Sequence, residues 1–140
     1  MAITAAVCNS FKQELLAMTP HVAADVYKIA LYTSTATLSK ATTAYSATNE
    51  VVGAGYTATG LTLVGFTVTL DTDTAILDWT TDPSWAAATL VARGALIYNA
   101  TRSNKAVCVL DFGGDITSTV GIFLVTLPLP AAATGLVRIA

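Results

Sequence analysis

The side chains that could do acid–base, nucleophilic or metal chemistry are few: one imidazole, His21; two thiols, Cys8 and Cys108; and nine carboxylates. Zinc takes three or four nitrogen or sulfur ligands, so one His and two distant Cys cannot hold it. A Ser-His-acid triad would have to rest on His21 alone. Placed beside Thr19-Pro20, His21 reads instead as a partly exposed turn residue. Asp71, Asp73, Asp78 and Asp82 could supply a carboxylate pair for glycoside hydrolysis, but nothing in their spacing sets the separation of about 5–9.5 Å which that chemistry uses. Asp71 and Asp73 also begin like a calcium loop, yet Ile76 stands at the sharp-turn position and Asp82 at the twelfth, where Gly and Glu are needed. Turn capping is the expected role.

Two further strings echo catalytic motifs. Gly53-Ala54-Gly55-Tyr56-Thr57-Ala58 matches a dinucleotide fingerprint in form, but that loop must open a helix whose N-terminus meets the pyrophosphate, and Leu61-Thr62-Leu63-Val64 continues as strand. Asp111-Phe112-Gly113 echoes a kinase triplet without the lysine, catalytic loop or length of a kinase. The expectation is therefore no enzyme, no cofactor and no metal. The remaining binding apparatus is aromatic. Tyr32, Tyr45, Tyr56, Trp79 and Trp85 could form a sugar-stacking platform, anchor an interface or fill a core. Trp79, set in a strand, reads as core; for Trp85, Tyr45 and Tyr56, core and interface stand equal.

What must position these residues is a chain of 140 residues, 54% hydrophobic and 11% charged, with formal net charge −2 and pI about 5.0. Its length suits one domain over residues 1–140. So acidic a balance offers no footprint for nucleic acid. Ala and Thr, 25 and 23 in number, leave a surface wetted by hydroxyls with little charge repulsion between copies. Permanent assembly is one reading; an ordinary Thr-rich β domain is the other. The first twelve residues lack the basic and apolar regions of a secretory signal. The most apolar window, from Val120 to Ala133, is too short to span a bilayer, is broken by Pro128 and Pro130, and reads as a buried strand and its exit. No membrane partner is expected, and Cys8 and Cys108 read as free, buried thiols.

Ile3, Val7, Phe11, Leu15 and Met18 recur every three or four residues, predicting an amphipathic helix at about 4–17 with Thr4 as N-cap. Beyond it the period falls to two. Strands are expected at Tyr27–Thr33, Asn49–Val52, Leu61–Leu70, Thr74–Thr80, Thr89–Asn99, Lys105–Phe112, Val120–Leu127 and Gly135–Ile139. In Leu61–Leu70 the apolar phase changes around Val64-Gly65, which predicts a bulge or a switch of face. Asp71-Thr72-Asp73, Asp82-Pro83-Ser84, Arg102-Ser103-Asn104 and Gly113-Gly114-Asp115 read as turns, and Ser34–Thr48 as an exposed loop. Connections this short demand antiparallel neighbours, so the expected fold is all-β: an antiparallel, jelly-roll-like β-sandwich with one short N-terminal amphipathic helix.

Taken together, Ile3-Thr4-Ala5-Ala6 with Asn9-Ser10-Phe11-Lys12, Lys28-Ile29-Ala30-Leu31-Tyr32-Thr33, Tyr45 through Asn49-Glu50-Val51, Gly55-Tyr56-Thr57-Ala58, Ala92 through Asn99 and Val137-Arg138-Ile139-Ala140 resemble the cement and decoration proteins of tailed-phage capsids, nearly end to end. The resemblance implies a structural virion protein, made in the bacterial cytoplasm and carried on the outer surface of the phage head. There it would form homodimers that bridge adjacent capsomers of the major capsid protein. For this role Tyr45, Tyr56 and Trp85 are candidate anchors, and Arg93 and Arg102 candidate partners for shell carboxylates. The rival reading is a carbohydrate-binding or host-adhesion module on the virion, using the same aromatics to stack on sugar.

Overall fold

The computed structural model describes residues 2–140. A short strand β1 (Ala6–Val7) leads into helix α1 (Asn9–Leu16), followed by β2 (Tyr27–Tyr32), β3 (Leu61–Thr62), β4 (Phe66–Asp71), β5 (Thr74–Trp79), β6 (Ser84–Asn99), β7 (Lys105–Leu124) and β8 (Val137–Ile139). These strands pair antiparallel in two sheets, ordered β1-β7-β6-β2-β3 and β4-β5-β8. The expected all-β sandwich with one short helix is what the chain adopts. Its strands divide five and three, and the hairpins β4–β5 and β6–β7 each stay within one sheet.

Tyr27 joins the two sheets. Its ring stacks on Phe66 with centroids 5.2 Å apart and meets Trp79 edge-on at 5.4 Å, so Trp79 is core as expected. The other face of the larger sheet is covered by residues 33–60. There Tyr45 stacks on Tyr98, Tyr32 Oη donates to Ser46 O, and Tyr98 Oη donates to Thr59 O. The stretch Ser34–Thr48 is thus not simply an exposed loop, because Ala36 and Leu38 are buried and Tyr45 is half-buried. Both faces of the sheet are dry in this half, which is why Gly94 to Asn99 of β6 is buried without alternation.

The helix is shorter than its periodicity predicts and begins at Asn9, with Cys8 rather than Thr4 at the N-cap. A spacing of four residues fits a period of two as well as one of 3.6, and backbone pairing decides between them. Thr4 N donates to Leu38 O, and Ala6 and Val7 pair with Val109 and Cys108. Cys8 and Cys108 are free and buried.

At Val64-Gly65 the phase change is a switch of sheet: β3 pairs with β2, and β4 with β5. Gly65 makes the corner at φ +84°, where a Cβ would strike the Thr80 hydroxyl. Thr72-Asp73 and residues 100–104 turn the two hairpins as predicted. Gly113-Gly114-Asp115 does not turn the chain. The two strands expected on either side of it are one, β7, and because Asp111 pairs with Gly94 and Ile116 with Ala92, residues 112–115 bulge opposite Arg93 alone. Gly113, at φ +78° with open space around it, absorbs the extra length. The predicted strand Asn49–Val52 reduces to one bridge between Glu50 and Tyr32.

Candidate functional site

The aromatic residues singled out from the sequence converge, but inward. Glu50 is buried and accepts hydrogen bonds from Tyr45 Oη at 2.6 Å, Tyr56 Oη at 2.6 Å and Thr59 N at 2.8 Å. Tyr56 Oη lies 3.0 Å from Leu31 N, which donates to it, and the ring lies 5.9 Å from that of Trp85. Trp85 is 3% exposed and packs edge-on against Phe123, so of its two readings the core is what the structure shows. Burial, then the hydrogen bond to Glu50, pushes the Tyr45 and Tyr56 phenols far above their ordinary range. They remain neutral donors, and they fasten residues 45–59 to the sheet.

The two arginines differ. Arg102 Nε donates to Asp25 Oδ2 at 3.0 Å, beside Asn99, and that hydrogen bond, against the cost of burial and with help from Asn99 and Val22 N, lowers the Asp25 carboxyl to about 2. Arg93 Nε stands 3.6 Å from Asp111 Oδ1, too long for a hydrogen bond, at the bulge. His21 refines its prediction: the residue is partly exposed outside any helix or strand, as expected, but its side chain is 0% exposed, with Nε2 2.7 Å from Glu14 Oε2 and its ring edge-on to Phe11. The imidazole is a buried tie, and the exposure belongs to the backbone. The four aspartates named for glycoside hydrolysis have separate surroundings, though Asp82 lies near enough to Asp78 to help raise its carboxyl. Asp71 accepts from Ala132 N and Asp82 from Leu127 N, Asp73 is exposed, and Asp78 is buried. Among the described residues no three His, Cys, Asp or Glu side chains gather where a metal could bind, and no helix is long and apolar enough to cross a membrane.

What faces outward is apolar. The window from Val120 was expected to be a buried strand; instead Phe123, Val125 and Leu127 point in, while Val120, Ile122 and Leu124 are 77%, 73% and 55% exposed. Apolar residues on both faces leave alternation with no sign of which face is wet, so the sequence concealed this row. Val120 sits at φ +46°, held there as its N–H donates to Thr89 Oγ1, a conformation that β-branched residues seldom adopt. Across β6 the same surface carries Val91, which pairs with Thr117 of β7. On its other side β7 pairs with β1 only at Cys108 and Val109, so beyond the bulge its backbone edge carries no strand partner among the described residues. Sheets normally blunt such an edge with charge. This one keeps it apolar.

Comparison with protein-family models, with curated proteins and with solved structures returned no significant match.

Proposed function

We propose that the protein is a non-enzymatic structural component of a phage head, an exterior cement or decoration protein that acts as a dimer and bridges adjacent copies of the major capsid protein. The observation that carries the reading is the exposed row Val120, Ile122 and Leu124, displayed by a strained backbone on a bare strand edge. A contiguous apolar patch beside unpaired backbone groups is costly in water and is relieved by contact with another protein. Two weak contacts on one rigid dimer then reinforce each other, because the second engagement is intramolecular. A sugar-stacking platform draws less support, since Trp85 is enclosed and the hydroxyls of Tyr45 and Tyr56 are taken by Glu50.

The test is re-decoration of emptied heads by purified protein, with a density map of the product. Wild type binds the outer surface, whereas the double variant Val120→Asp, Ile122→Asp, still folded by circular dichroism, leaves heads bare. Equal decoration by the variant, or binding to glycan with none to heads, overturns the proposal.

A further inference from the structure

Of the seven basic side chains, four are engaged by other side chains: Lys105 by Glu14, Arg102 by Asp25, Arg93 by Asp111, and Lys28 by the Thr59 hydroxyl. The other three, Lys12, Lys40 and Arg138, come from α1, the segment after β2 and β8, and all line one groove of about 480 Å³. No carboxylate lines it, and none of the three has an ion-pair partner among the described residues; Arg138 Nη1 donates to Ala132 O at 2.9 Å, which leaves its charge unneutralised. The walls between the cations are apolar, with Leu16 88% and Ile139 59% exposed, and Val7 and Leu15 half-buried.

The groove also runs along a strand edge. Successive strand residues point to opposite faces, so a groove touched by Val137, Arg138 and Ile139 alike must follow the margin of β8 rather than either face. β8 is the outermost strand of its sheet and pairs only with β5, which leaves its other margin with free N–H and C=O groups. Ala6 and Val7 of β1, at the rim of the larger sheet, form the opposite wall.

We propose that this groove takes an extended peptide segment of a partner protein, alternating apolar with Asp or Glu residues, which adds as a strand to the edge of β8. The peptide backbone would satisfy the free groups of β8, its apolar side chains would rest on Leu16 and Ile139, and its carboxylates would meet Lys12, Lys40 and Arg138. A fatty acid or lipid headgroup answers the cations and the walls but not the strand edge. The inference does not rest on the proposed role at a phage head, since the same groove would accept such a segment from any partner.

The probe is a labelled, end-capped octapeptide alternating Val and Glu, titrated into the full chain at low salt and followed by anisotropy and by amide shifts. Saturable binding is expected, with shifts centred on residues 137–139 and Leu16. The double variant Lys12→Glu, Arg138→Glu should weaken it by about tenfold or more, and Lys28→Glu should leave it unchanged. Any of four results overturns the proposal: no saturation; equal affinity for a peptide alternating Val and Lys; equal binding by the double variant; or capture of phosphatidylglycerol vesicles without peptide binding. A change in the oligomeric mass of the double variant, again without peptide binding, would make a second copy the occupant and overturn it equally.

Discussion

The side-chain amide of Asn99 donates to His21 Nδ1 at 3.1 Å and to Asp25 Oδ2 at 2.9 Å, while its oxygen accepts from Thr101 N and Arg102 N. Two backbone donors on one side and a carboxylate on the other orient the amide. His21 Nδ1 must then be an acceptor, and its proton lies on Nε2, facing Glu14. One buried Asn thereby ties α1, the segment after it and the β6–β7 turn together. Asn99→Ala, which leaves these partners unpaired, is expected to cost at least about 2 kcal/mol of unfolding free energy in urea. A loss under about 0.5 kcal/mol would mean that the turn holds without the tie.

The Asp25–Arg102 pair sets an acid limit. The Asp25 carboxyl is lowered to about 2, whereas an unfolded Asp titrates near 3.9. A depressed carboxylate contributes stability that is present above the unfolded value and lost as pH falls through the folded one. Wild-type stability should therefore drop between about pH 4 and pH 2, and more shallowly in Arg102→Gln, whose Asp25 loses its strongest hydrogen bond. Parallel profiles of melting temperature against pH would refute this.

Asp78 behaves oppositely. Burial raises its carboxyl above the ordinary range, against a hydrogen bond from Trp79 N, and Oδ2 has no partner. A raised acid contributes stability below its unfolded value that is lost as pH climbs through the folded one, so the ionised form weakens the fold at neutral pH. Asp78→Asn should stabilise the protein at pH 7 by about 1 kcal/mol, with the gain shrinking toward pH 3 where wild type is protonated. An equal gain at both values would show that charge is not the cause.

Glu50 holds three donors, and two of them are phenols from one covering segment. Tyr45→Phe and Tyr56→Phe should each cost about 1.5–3 kcal/mol, the range for hydrogen bonds to a charged group. In Glu50→Gln the further cost of either change should shrink, because the acceptor they share is altered. Strict additivity in the double-mutant cycle would dissolve the cluster into independent contacts.

Read locally, the sequence by itself determined the β class, the two hairpin turns, the burial of Trp79 and the change of direction at Gly65. Each follows from neighbouring residues, through turn chemistry, glycine's backbone freedom and the two-residue period. Where a local signal served two outcomes, pairing with distant strands decided. Ile3 and Val7 suited helix or strand, and Gly113-Gly114 suited turn or bulge, until Leu38, Cys108 and Gly94 supplied partners. The interior orientation of His21, the row beginning at Val120 and the meeting of Lys12, Lys40 and Arg138 belong to tertiary structure alone. Residues more than a hundred positions apart become neighbours only once two sheets and a helix have closed on one core, and nothing in the spacing of three cations along the chain encodes that meeting.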